Sequence, residues 1–235
     1  IGLPGGFAGV DIFFVISGYL MTAIIVNGHE KGSFSIGKFY MSRIRRIVPA
    51  LLVVLAVLLI LGWFYLPTID YQSLGEQSYF GMTFLSNIHY WRSSGYFDSA
   101  SHEKWLLHTW SLAVEAQFYV LYPLFIALVW KFWKSLKAVN IAIVVLFVGS
   151  LILNLYISNI KPSAAFYLLP TRCWELASGG LVFLAIKYNL FSNNLKNIGY
   201  WLGWILIIGS FSFISEHLAW PSYWAIFPVL GTSLV

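Results

Sequence analysis

An all-α fold, a polytopic bundle of transmembrane helices, is what this sequence predicts, on three observations. First, 59% of the 235 residues are hydrophobic and 10% charged, where a soluble domain carries about a quarter charged residues. Second, the apolar residues gather into uncharged runs such as Ile47 to Leu66 and Ala138 to Ser158. These approach or exceed the roughly 18 to 20 residues that cross about 30 Å of hydrocarbon as helix. Third, no alternation at strand length accompanies them, so a closed barrel is a poor fit, and only barrels and helices satisfy their backbone in lipid.

Six spans follow in order: Phe7 to Val26, Ile47 to Leu66, Trp105 to Trp130, Ala138 to Ser158, Pro162 to Ile186 and Ile198 to Ser215, with a seventh beginning near Trp220. So many apolar runs exclude a cleaved signal peptide as their explanation. The stretch Gln77 to Trp91 is short and carries Asn87 and His89, which fits a re-entrant or interfacial piece better than a crossing.

The cationic residues arbitrate. If Gln77 to Trp91 stays on one side, Lys31, Lys38, Arg43, Arg45, Arg46, Lys131, Lys134, Lys137, Lys187 and Lys196 share a face, against Arg92, Lys104 and Lys161 opposite. That is the sharper match to the positive-inside preference, so the first face is expected in the cytoplasm. The loop from Pro67 to Lys104, with Asp70, Glu76, Asp98, His102 and Glu103, then faces the exterior. No fixed-period repeat or Gly/Ser linker divides the chain, which predicts one membrane domain over residues 1–235. The chain opens on Ile1 and ends inside an apolar stretch at Val235. It is therefore expected to be a fragment, without a first helix and the C-terminal helices of a longer protein.

A lone cysteine, Cys173, leaves no disulfide framework and no cysteine-based metal site. The formal charge of +5 would suggest nucleic acid in a soluble protein, but in a membrane protein its distribution matters more, and no nucleic-acid partner is expected.

Four ionisable residues fall within or beside the spans: Asp11, Glu115, Arg172 and Glu175. Each costs about 2.5 to 3.5 kcal/mol near a helix centre, so each is expected to face protein or a wet cavity. His108, Ser111 and Glu115 stand at i, i+3 and i+7, one helical stripe that would bring a base and a carboxylate together. An interfacial histidine and a helix-packing glutamate explain the same spacing. Arg172 and Glu175, at i and i+3, fit a simple intrahelical ion pair as well as a catalytic couple. Asp11, behind Gly5, Gly6 and Gly9, fits an acid in a first helical turn. Ser17-Gly18 marks tight helix packing. Arg43, Arg45 and Arg46 press against the membrane boundary at Ile47. They fit a topology anchor on membrane lipid headgroups, or a site for a polyanion whose phosphates take guanidinium forks.

Four ordered blocks resemble the membrane-bound acyltransferase family 3: GGFAGVDIFFVISGYL at Gly5 to Leu20, KFYMSRIRRIVPALL at Lys38 to Leu52, WLLHTWSLAVEAQFYVLYPL at Trp105 to Leu124, and FYLLPTRCWELASGGL at Phe166 to Leu181. That family includes bacterial O-acetyltransferases of lipopolysaccharide O-antigen and other envelope glycans. The resemblance implies a multi-pass protein of the bacterial inner membrane, moving an acyl group, usually acetyl from acetyl-CoA, to a sugar hydroxyl of an envelope polysaccharide or lipid-linked glycan. Arg43 and Arg46 match the family's arginine pair for the anionic donor, with Arg45 beside them. Asp11, His108, Glu115, Arg172 and Glu175 match positions that would line the cavity. The family's helix with an arginine and a catalytic histidine would precede Ile1. Two positions depart from the pattern: Ala116 replaces a second acid in Val114 to Tyr119, and Ser42 stands where another arginine is common. No metal is implied. The alternative from another class is a transporter or flippase of an anionic or glycan substrate, because buried charges also mark substrate paths.

Overall fold

The computed structural model describes residues 5–94, 104–214 and 220–235. Asp98, His102 and Glu103 of the predicted exterior loop, and Ser215 at the end of the sixth predicted span, lie outside the described residues. Among the described residues there are ten α-helices: α1 (Gly9–Glu30), α2 (Ile36–Tyr65), α3 (Thr68–Met82), α4 (Ser86–Ser93), α5 (Thr109–Trp133), α6 (Leu136–Ile160), α7 (Pro162–Tyr167), α8 (Leu169–Lys187), α9 (Asn193–Phe213) and α10 (Ile226–Leu234). The protein is an all-α, integral-membrane helical protein. The segments Gly6–Glu30, Ile36–Tyr65, Thr109–Trp133 and Leu136–Ile160 are long and apolar enough to cross a bilayer. Helices α8 and α9 have 19 and 21 residues, which is also spanning length.

The contacts resolve into two compact units, one of residues up to Phe34 with Pro123–Val235, the other Ser35–Tyr122. In the first, α1 packs on α8, α8 on α6, and α10 on α9 and α1. Helix α1 ends where Gly32 adopts φ 63°, and the Ser33 and Gly32 amides close back on Gly28 O and His29 O. That αL closure favours glycine because no Cβ opposes it. A Cβ on Gly18 would stand 1.7 Å from Leu176 O, and one on Gly179 would stand 1.9 Å from Val15 O. The two helices therefore meet backbone to backbone, the small-residue packing that substitutes for a hydrophobic drive inside lipid. Asp11 meets Arg172 near one end and Glu30 meets Lys187 at the other, so α1 and α8 run parallel. A parallel pair agrees with the topology in which Gln77 to Trp91 stays on one side.

The predicted span Pro162 to Ile186 is not one helix. It breaks at Leu168, extended at ψ 140°, into α7 and α8. Pro170 has no N–H and its ring opposes continuous helix through this point. The exposed backbone is answered by side chains. Ser150 Oγ donates to Pro170 O at 2.6 Å, Asn154 Nδ2 to Thr171 O at 2.9 Å, and Thr171 Oγ1 to Leu168 O at 2.8 Å. Within a bilayer an unsatisfied carbonyl costs several kcal/mol, and α6 places these two polar residues one turn apart to meet the demand.

In the second unit α2 begins at Ile36, eleven residues before the predicted span, behind Ser35, whose Oγ accepts from Lys38 N. Thirty residues of helix extend about 45 Å, more than the hydrocarbon alone requires. The helix stops before Pro67, with Leu66 extended as a residue ahead of proline prefers. Leu51, Leu55, Leu74 and Leu106 form the core of this unit. The weak stretch Gln77 to Trp91 is divided between α3 and the eight-residue α4, each shorter than a span. Between them Phe84 takes φ 55°, which a bulky side chain resists. Its carbonyl accepts Gln117 Nε2 at 3.1 Å.

Candidate functional site

The break before α8 builds the first cluster. In an uninterrupted helix, residue 170 would donate to Phe166 O; as proline it cannot, and Arg172 Nε donates there instead at 3.1 Å. The guanidinium lies 5.2 Å above the Phe166 ring. Its Nη1 donates to Asp11 Oδ1 and to Glu175 Oε1, each at 2.7 Å. Relative exposures of 0% for Asp11, 1% for Arg172 and 0% for Glu175 make this a fully buried ionic cluster. The expected Arg172–Glu175 couple forms within α8. The spacing did not show that Asp11, 161 residues away, would join it on the facing helix. Asp11 Oδ2 and Glu175 Oε2 are buried with no hydrogen-bond partner.

In the second unit, Glu115 is buried on α5 and its Oε1 accepts from Tyr119 Oη one turn later. The predicted stripe of His108, Ser111 and Glu115 is corrected here. His108 is exposed in the turn before Thr109, where α5 begins, and only its carbonyl meets Ser111, accepting from Oγ at 3.1 Å. The amides of Thr109 and Trp110 close on Leu106 O and Leu107 O, so the chain is still turning at His108 and helical spacing does not yet apply.

Two turns into α2, Arg43 and Arg46 share a helical face, because the helix has already begun at Ile36. Arg43 is half-buried, its guanidinium 5.7 Å from the Phe39 ring centroid. Its Nη2 donates to Ser42 Oγ at 3.4 Å, while its Nε is buried without a partner. Arg45 and Arg46 are exposed. Guanidinium donors left over at a helix face are what phosphate oxygens engage bidentately. Among the described residues, no group of three or more His, Cys, Asp or Glu gathers to hold a metal ion.

Two features escaped the sequence reading. Asn87 and Gln117 exchange amide hydrogen bonds of 3.3 and 2.8 Å, tying α4 to α5 two residues from Glu115. Ser150, Asn154 and Ser158, the buried polar stripe of α6, recur every four residues in an apolar run, a signal readable beforehand.

The family described as the acyltransferase domain, acyltransferase 3, matches residues 3–235. The chain belongs to this family. An uncharacterized protein of Haemophilus influenzae is 33% identical over 96% of this chain and 96% of its own length. The peptidoglycan O-acetyltransferase OatA of Listeria monocytogenes is 34% identical over 80% of this chain. The putative membrane-bound transacylase BcsY of Komagataeibacter xylinus is 32% identical over 99%. The alignments span 31% of OatA and 58% of BcsY. No solved structure matches the chain. Family membership makes this an acyltransferase domain.

Proposed function

We propose that this protein is an O-acyltransferase of the bacterial inner membrane that moves an acetyl group from acetyl-CoA to a hydroxyl of an envelope glycan. The observation that carries the reading is the match of residues 3–235 to the acyltransferase domain. The finer assignments rest on the Asp11–Arg172–Glu175 cluster, on Glu115 and His108, and on the arginine face of α2. Arg43, Arg45 and Arg46, at the head of the apolar part of α2, take the phosphates of the donor from the cytoplasmic face. Arg172 supplies positive charge against the oxyanion of the tetrahedral intermediate, with Asp11 and Glu175 fixing its guanidinium. Glu115 orients a reacting group in the second unit, and the exposed His108 binds the acceptor or relays its proton. The acceptor class, an envelope polysaccharide or lipid-linked glycan, takes peptidoglycan as a first candidate from the name of OatA and O-antigen as the second.

The test is transfer of labelled acetyl from acetyl-CoA to envelope glycan in membranes bearing the full-length protein, wild type against Arg43→Ala plus Arg46→Ala. A charge-assisted hydrogen bond contributes about 1.5 to 3 kcal/mol. The double variant is therefore expected to raise the KM for the donor roughly tenfold or more. Unchanged transfer would remove the donor site from these arginines, and no transfer by the wild type from acetyl-CoA would remove the donor itself.

A further inference from the structure

The Asp11–Arg172–Glu175 cluster does not balance in charge. One guanidinium meets two carboxyls, all fully buried. If both carboxyls were ionised, the cluster would hold a net negative charge inside the helical core. Among the described residues, the other elements packed on α8 bring no cation beside it. Helix α7 (PSAAFY) and α10 (IFPVLGTSL) contain no charged residue, and the only charge on α6 is Lys137, in its first turn. On α1 the remaining titratable groups are Tyr19, His29 and Glu30; the last two end the helix, and Glu30 is engaged with Lys187. Lys187 closes α8 at that same far end.

The geometry sharpens the imbalance. Asp11 Oδ1 and Glu175 Oε1 converge on the same nitrogen, Nη1, each at 2.7 Å. Two carboxylates sharing one site cannot comfortably both ionise. Each also keeps a second buried oxygen with no hydrogen-bond partner, an expensive condition for an ionised carboxylate and a cheaper one for a carboxylic acid.

The two acids are not equivalent. Asp11 occupies the first turn of α1, where unpaired amides and the helix dipole favour negative charge. Glu175 is the seventh residue of α8, past the reach of that effect, and glutamate is intrinsically the weaker acid.

We propose that this cluster holds one proton, carried by Glu175, with Asp11 the ionised partner of Arg172. The cluster is then electroneutral, a carboxylic acid and an ion pair joined at one guanidinium. The functional meaning rests on the reading of Arg172 as the charge-stabilising group. Balanced by a single carboxylate, its guanidinium keeps positive potential for an oxyanion; facing two, it would be overcompensated. Glu175 is thus a positioning residue whose protonation sets the field of Arg172.

The experiment is infrared spectroscopy of the full-length protein in lipid, following the carbonyl stretch of a buried carboxylic acid by its shift on deuteration. It needs no acyl transfer, so its failure is separable from failure of the proposed activity. The expected result is a band in wild type from mildly acidic to mildly alkaline pH. It shifts with isotope-labelled glutamate but not labelled aspartate, persists in Glu115→Gln, and is lost in Glu175→Gln. If Glu175→Gln does not fold, labelled glutamate in the Glu115→Gln protein decides the assignment, since Glu115 and Glu175 are the buried glutamates among the described residues. No acid band in wild type, a band that follows labelled aspartate, or one that survives in Glu175→Gln would overturn the proposal.

Discussion

Arg172 and the arginines of α2 are the same side chain in opposite circumstances. Arg172 is fully buried, its Nη1 held by two acids and its Nε by a backbone carbonyl that Pro170 leaves open. Arg45 and Arg46 are exposed, and Arg43 keeps a buried Nε without a partner. A guanidinium anchored by buried groups of the fold is part of the fold, and an exposed guanidinium with donors left over is open to a ligand. The first should therefore govern stability and the second binding, although both belong to the same proposed reaction.

Removing the buried member is the harshest test of this contrast. Arg172→Met leaves two carboxyls without their cation, and breaking a buried pair from one side costs about 3 to 5 kcal/mol. The expected outcome is a large fall in the melting temperature of detergent-solubilised protein, together with loss of acetyl transfer. A protein that melts normally would mean that Arg172 is not held as described.

Next comes the contact that brings Asp11 to Arg172. In Gly179→Leu the new side chain would collide with Val15 O and Tyr19 N, at 1.9 and 2.5 Å from the Cβ position. Backbone cannot swing aside as a flexible side chain can, so a destabilisation of about 3 kcal/mol or more is expected. Differential scanning fluorimetry measures it. If the helices tolerate leucine, the backbone-to-backbone meeting of α1 and α8 is wrong, and the buried cluster loses its support.

His89 gives a smaller effect of definite sign. Outside the spanning helices, it stacks on Phe80 with 4.4 Å between ring centroids and approaches Glu76 at 3.6 Å. Burial lowers its pKa below the ordinary 6.5, with Lys104 adding to the fall and Glu76 opposing it. The unfolded chain then takes up the proton first on acidification. Its contribution is present in full above 6.5 and is lost as pH falls through the folded-state value. The melting temperature of wild type should therefore exceed that of His89→Gln most at alkaline pH, and the gap should narrow on acidification, because the variant loses less.

The smallest stability effect belongs to the arginine face of α2. Arg43→Ala plus Arg46→Ala, one half-buried and one exposed site, is expected to shift stability by about 1 kcal/mol or less, while impairing the donor step. A large loss of stability there would erase the distinction between the two kinds of arginine.

Much of this was visible residue by residue. The apolar runs located α1, α2, α5 and α6, because lipid solvation rewards hydropathy wherever the neighbours sit. The motif blocks named the acyltransferase family, and the spacing of Arg172 and Glu175 foretold their pair. His108 shows where spacing misleads. The pattern with Ser111 and Glu115 assumed helix that the chain does not form until Thr109. The early start of α2 was missed because Ile36 to Arg46 is too polar to register as a span, although Ser35 offered a cap. The fracture at Leu168 was hidden because hydropathy runs on across it, and Pro170 alone does not say whether a helix kinks or stops.

By itself, then, the sequence determined that this chain lives in a membrane as helices, which family it belongs to, and which polar residues required an explanation. Those are local properties: hydrophobicity, periodicity and the identity of adjoining residues act over a few turns. Only the tertiary structure decided who answers whom. Asp11 reaches Arg172 because Gly18 and Gly179 let two backbones touch, and the α6 side chains reach Pro170 and Thr171 because the break before α8 leaves carbonyls to satisfy. Partners far apart in sequence are chosen by packing distance and by the cost of leaving a buried polar group alone, and neither is written in any single stretch of the chain.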